Sequence, residues 1–368
     1  MDAPLRYTRG MTRPPVDDPS ISREDPLYDL LRVAAAVAVV GIHALAAFAT
    51  AERASGDPSG LLFWLDQVLF VAVPLFLFIS GALTWGKREP MGDAAYRRFM
   101  GRRLRFVGIP YLAWTVIYFA LLPLLGEPAP GSAAIAVERF THMLVNGTAF
   151  YHLYFVPLLL VLYSLTPIAR ALMVRSPELF VLAVIAVRVW LAPEIVLVIR
   201  GGTLEIAEPL ITNVLVYAPY MATGAWFALR RPRVEPVLVR AWPLPLLVGI
   251  ALLAVQAPRL AGPAWGAEAL RAAEYGAITL AILGLTGLAA VLAARYEALR
   301  PVGRRLAVLT YGVYLLHPLI LRLAQQAVGG PDAFAAPPAA LAAWILVLGA
   351  STLVVAGMRR VPVLRRLT

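Results

Sequence analysis

Arg32 and His43 stand eleven residues apart in the first apolar stretch of the chain, and Asp29 lies one turn before the arginine. Eleven steps of about 100° make three turns plus about 20°. In a helix both side chains therefore share one face, roughly 16 Å apart along the axis. A guanidinium is a fixed cation whose planar fork grips carboxylates and phosphates. A neutral imidazole, with a pKa near ~6.5, can take the proton of an alcohol at neutral pH. One face thus offers an anion holder near one end and a general base deeper in. Two blander readings stay open at this point: Arg32 snorkels to lipid headgroups, and His43 is a buried hydrogen-bonding strut.

Other residues invite similar readings. His152 lies in Tyr151-His152-Leu153-Tyr154, which fits an aromatic belt at a membrane boundary as well as a platform that stacks on a sugar. His317 closes Thr310-Tyr311-Gly312-Val313-Tyr314-Leu315-Leu316-His317, and Pro318 behind it kinks a helix and frees a carbonyl. Ser80-Gly81 reads as a site of close helix approach. The run Arg97-Arg98-Phe99-Met100-Gly101-Arg102-Arg103-Leu104-Arg105 is either a topology signal beside anionic lipid or a cluster that holds a phosphorylated ligand. Arg188 sits inside an apolar stretch and must face protein or water. There are no cysteines, and no two of the four histidines have metal-ligand spacing on one helix, so neither a thiol nucleophile nor a metal is expected. No Walker A motif or G-x-G-x-x-G occurs, which excludes a nucleotide-driven pump and a Rossmann enzyme.

The elements that carry these residues are set by composition. Of 368 residues, 60% are hydrophobic and 15% charged, and the mean hydropathy is +0.74. A soluble core of this size cannot hide so much apolar surface, so the surplus faces lipid. Apolar stretches near 28–50, 61–86, 105–125, 150–170, 179–199, 210–229, 241–258, 273–294, 305–327 and 336–357 predict an all-α, polytopic fold of about ten transmembrane helices. Trp64, Trp85, Trp114, Trp242 and Trp344 fall near the ends of these stretches, as belt residues do. The net charge is +11, from 33 Lys and Arg against 22 Asp and Glu. With the N-terminus inside, about 25 of the 33 basic residues fall on the cytoplasmic side and about five outside. That bias puts both termini in the cytoplasm and removes the need for a nucleic-acid partner. Residues 1–26, rich in proline, read as a flexible cytoplasmic tail, and 27–368 as one membrane domain.

In order and spacing these elements resemble acyltransferase family 3, a family of integral membrane proteins. Asp29-x-x-Arg32 with ten further residues before His43 matches its Arg-x10-His element. Ser80-Gly81, the basic run before Pro110-Tyr111, His152-Leu153-Tyr154-Phe155, Tyr163 with Pro167, and Tyr311 to Pro318 follow in the family's order. The resemblance covers about residues 27–367 and is nearest to the short, stand-alone bacterial members. Val33, Tyr154 and Thr310 stand where the family usually has Gly, Trp and Ser; none of these changes removes an ionisable group.

The resemblance implies transfer of an acyl group, usually acetyl, from cytosolic acyl-CoA to a hydroxyl of a sugar, a glycan, or another envelope or secondary-metabolite acceptor. Acyl-CoA is then a co-substrate and no cofactor is bound permanently. The lipid bilayer, in a plasma membrane of bacterial inner-membrane type, is the surrounding partner. His43 is expected to act as base, with Arg32 orienting the donor. Arg102, Arg103 and Arg105 are expected to hold CoA phosphates. Asp29, Ser80, His152, Tyr154 and His317 are expected to touch substrate or support the site. A ten-helix transporter remains the alternative, although its usual matched halves are not evident.

Overall fold

A computed structural model describes residues 25–55, 60–200, 202, 204–256 and 267–368. The predicted tail thus lies almost wholly outside the described residues. Within them the chain is helical, without strands. The helices are α1 (Pro26–Ser55), α2 (Leu61–Leu69), α3 (Ala72–Thr84), α4 (Asp93–Arg103), α5 (Ile109–Ala120), α6 (Ala133–Asn146), α7 (Phe155–Ser164) and α8 (Thr166–Arg175). They continue as α9 (Pro177–Ala186), α10 (Ala192–Ile199), α11 (Glu208–Ala241), α12 (Pro243–Gln256), α13 (Ala267–Arg295), α14 (Leu299–Ala307), α15 (Thr310–Ala327) and α16 (Pro337–Met358). Two π-helical turns, Leu104–Gly108 and Val187–Leu191, join α4 to α5 and α9 to α10.

Five helical stretches are each long and apolar enough to cross a membrane: Pro26–Ala54, Leu61–Thr84, Pro177–Ile199, Glu268–Arg295 and Pro337–Met358. Three bent pairs add one span each: α7 with α8 at 61°, the α11 segment with α12 at 78°, and α14 with α15 at 60°. That makes up to eight among the described residues, against the ten expected. The difference has two sources. The apolar α5 has 12 residues and continues back only into the π-helical turn with Arg105 and the basic α4, so it is not counted among the long apolar stretches. And α11 runs on from an apolar half into Arg230, Arg231 and Arg233 before the bend to α12, so the two are counted once as a bent pair.

Two helices organise the bundle. α1 packs against α2, α3, α13, α14, α15 and α16, while α11 packs against α3, α7, α9, α10 and α13. α3 lies between them and crosses α11 at very short range. A Cβ on Gly81 would lie 1.8 Å from the Met221 carbonyl oxygen, and one on Gly224 would lie 1.9 Å from the Phe78 carbonyl oxygen. Small residues permit such an approach because lipid offers helices little hydrophobic drive, leaving close packing to hold them. The Ser80-Gly81 expectation is therefore met. Outer helices carry bare apolar side chains, such as Val198, Ile345 and Leu353, where lipid is the natural solvent.

The tryptophans correct the belt reading. Trp85 and Trp114 are buried. The indole N–H of Trp114 donates to the Leu367 carbonyl at 2.9 Å, and that of Trp344 to the Val37 carbonyl at 3.0 Å. The Trp114 and Trp344 rings face protein because each N–H has a carbonyl to reach, whereas Trp85 is buried with its N–H unpartnered. Two basic segments reach the start of α1, where Gly303 lies against Leu30 and Arg231 pairs with Asp25, while the C-terminal turn Leu364–Leu367 docks on α5.

A Gly81→Val substitution should lower the unfolding temperature of the detergent-purified protein by about 5 °C or more, since the methyl groups have only backbone to push against. Gly357→Ala, with nothing within 4 Å of the added carbon, should leave it within about 1 °C. Calorimetry of both variants checks the pair.

Candidate active site

α1 starts with Pro26 at its first position and Asp29 in its first turn, both favoured there, and then runs unbroken for 30 residues. The unbroken helix is what keeps Arg32 and His43 on one face. Asp29 Oδ1 accepts from Arg32 Nη1 at 2.9 Å. With 32% of the Arg32 side chain still exposed, the pair contributes little stability and serves to aim the fork.

Three histidines from distant parts of the chain meet at the deeper end of that face. The His43 and His317 rings stack with centroids 5.4 Å apart and planes 25° from parallel. His152 meets His317 edge-on at 5.5 Å. His152 and His317 are buried, at 2% and 0% exposure, whereas His43 is half-buried. His43 is thus the least enclosed imidazole of the three. His317 Nδ1 lies 3.0 Å from the Val313 carbonyl. A carbonyl only accepts, so Nδ1 carries the hydrogen and Nε2 keeps its lone pair. That Nε2 and both ring nitrogens of His152 have no partner. His142, the fourth histidine, stays apart, 3.5 Å from Thr148 Oγ1.

A cavity lies on each side of this cluster. The first, of about 210 Å³, is lined by Arg32, Ser80, Arg103, Tyr163, Thr310 and Tyr314 among others. Arg103 stacks over the Phe99 and Tyr163 rings at 5.1 and 4.7 Å, and its Nε is buried without a partner. Tyr314 separates this cavity from the histidines: its ring is 5.1 Å from that of His152, and its hydroxyl donates to the His152 carbonyl. The second cavity, of about 450 Å³, is lined by Glu127, Arg139, Thr148, Tyr151, Arg322 and Gln325 among others. Tyr151 separates it from the cluster, with its ring centroid 4.5 Å from that of His43. Among the described residues, no three His, Cys, Asp or Glu side chains are placed to share a metal ion.

The remaining predicted residues divide. Ser80 lines the first cavity, and its Oγ accepts from the Tyr163 hydroxyl at 3.5 Å. Of the three clustered arginines only Arg103 lines it; Arg105 is exposed over Phe106, and Arg102 is half-buried to one side. Tyr154 turns to α11, 3.4 Å from the Tyr217 hydroxyl, while its neighbour His152 turns inward. Neither a simple aromatic belt nor a single stacking platform describes a segment whose residues part in this way. Sequence reasoning passed over Tyr118, which holds His152 edge-on at 5.7 Å and donates to the Leu315 carbonyl at 2.9 Å. It also left Arg188 without a partner; Glu274 and the Val216 carbonyl fill that place. No spacing on one helix could have revealed either.

A family model described as an acyltransferase domain, that of acyltransferase family 3, matches residues 26–358. No curated protein and no solved structure matches the chain. A match over nearly the whole chain decides between the enzyme and carrier readings, and it brings the apolar helices and the half-buried imidazole under one heading. The protein belongs to acyltransferase family 3 and is a membrane acyltransferase.

Proposed function

We propose that the protein moves an acyl group, acetyl in the first instance, from cytosolic acyl-CoA to a hydroxyl of a sugar, glycan, or other envelope or secondary-metabolite acceptor. The membrane is of bacterial inner-membrane type, with ten spans and both termini in the cytoplasm. The two basic segments that reach the start of α1 support this orientation. The observation that carries the reading is the His43–His317–His152 cluster, whose rings meet Tyr314 of the cavity lined by Arg32 and Arg103 and Tyr151 of the other.

In this reading the thioester enters past Arg32, with its pantetheine arm extended along the α1 face. Arg103 takes a phosphate or a carbonyl of the donor, and Arg102 and Arg105 meet the nucleotide end outside the cavity. The acceptor enters the second cavity beside Tyr151. His43 removes the hydroxyl proton as the oxygen attacks the thioester carbonyl. The C–S bond then breaks, the ester stays on the acceptor, and His43 returns the proton to the departing thiolate. His317 and His152 stand behind His43 and hold its ring in place. Asp29 orients Arg32, and Ser80 lines the donor path. Tyr154, turned toward Tyr217, supports the wall from behind.

His43→Ala should lower kcat for transfer from radiolabelled acetyl-CoA to an added acceptor by about a hundredfold or more at unchanged folding. Near-normal transfer by this variant would refute the assignment. Arg32→Lys keeps the charge but loses the fork. It should raise KM for acyl-CoA about tenfold, the cost of one charge-assisted hydrogen bond, and change kcat less. Steady-state kinetics in detergent separate the two effects.

A further inference from the structure

A third cavity, of about 310 Å³, lies between α2, α3, α11, α12 and α13. The π-helical turn Val187–Leu191 brings Arg188 into its wall. Such turns are rare and concentrate at functional sites. The other π-helical turn among the described residues, Leu104–Gly108, contributes Val107 to the donor-side cavity.

Arg188 is 3% exposed. Its Nη2 donates to Glu274 at 2.7 Å, its Nη1 donates to the Val216 carbonyl, and its Nε is buried without a partner. The guanidinium lies 5.5 Å from the centre of the Tyr220 ring, whose buried hydroxyl also has no partner. Gln67 lines the same cavity; its amide nitrogen is tied to Asp66 at 2.9 Å, which leaves its carbonyl oxygen available.

The charges around this space compensate one another. Arg188 is matched by Glu274, and Arg53, also in the lining, is matched by Asp66 at 3.7 Å. An anionic ligand would meet Glu274, and a cationic one would meet Arg188. What remains to be satisfied is the Tyr220 phenol and one Arg188 N–H, and the neutral Gln67 amide lies in the same wall, beside Tyr217 and Tyr220. Hydroxyl groups donate and accept, so they suit all three polar partners, and the C–H faces of a sugar ring pack on aromatic rings. A volume near the lower end for ligand sites, about 300 Å³, limits the occupant to one or two rings. We propose that this cavity is a second ligand site that takes a neutral polyhydroxylated molecule, independently of the histidine cluster.

The test reads binding alone, on full-length protein in lipid nanodiscs. Methyl α-glucoside and trehalose serve as probes, followed by saturation-transfer NMR. Wild-type protein should give a sugar signal that falls about threefold or more in Tyr220→Phe and in Gln67→Leu, each of which removes one hydrogen-bonding group. The signal should persist in His43→Ala. Gln67→Leu carries the test alone if Tyr220→Phe does not fold, as judged by its unfolding temperature. The proposal is overturned by no signal with either sugar, by a signal indifferent to both cavity variants, or by one lost in His43→Ala. Stronger binding of inorganic phosphate that disappears in Arg188→Gln would overturn the neutral character of the site.

Discussion

Between Gly81 and Met221 there is no room for a methyl group, and this crossing of α3 with α11 fixes much of what surrounds it. α3 carries Ser80 into the donor-side cavity, and α11 carries Tyr217 and Tyr220 into the third one. α1 lies against α3, so the Arg32–His43 face is set relative to the same contact. In lipid the crossing has no hydrophobic effect to lean on, and its strength is contact made at backbone range. A bulkier residue there would move two cavities and the helix that bears the proposed base, rather than one side chain.

A second regularity is the use made of arginine. Arg170 Nε donates to the Thr84 carbonyl at the end of α3 at 2.6 Å, and Arg300 Nε to the Ala293 carbonyl near the end of α13 at 2.8 Å. Arg271 Nε likewise donates to the Val189 carbonyl, inside a π-helical turn, at 2.9 Å. Helix ends and irregular turns leave carbonyls that lipid cannot satisfy, and a long cation supplies the missing donor. Part of the positive charge is therefore structural, in addition to any role in topology or donor binding. Lys87 shows the reverse condition. Although the residue is exposed, partial desolvation of its ammonium, with Arg170 and Arg103 nearby and only Glu89 opposing, draws it below the usual lysine range.

What the sequence disclosed depended on distance along the chain. The shared face of Arg32 and His43 follows from a spacing on one helix, and α1 realises it. His152 and His317 were readable as unusual polar residues in apolar stretches, although nothing in their positions announced that they meet each other at 5.5 Å. Tyr154 was grouped with His152 because the two are near neighbours, but the turn before α7 sends them to opposite sides. The Arg188–Glu274 pair spans 86 residues and was invisible to any local pattern. The span count fared in between: hydropathy located the apolar stretches, while the bends that join α7 to α8 and α11 to α12 depend on tertiary packing.

The cavities on the two sides of the histidine cluster share no lining residue. The material between them is little more than the rings of Tyr314, His152, His317, His43 and Tyr151. Such a partition is only a few side chains thick. Aromatic rings packed in this way can turn about their side-chain torsions without leaving their places, so the histidine cluster is the natural place for the two chambers to communicate.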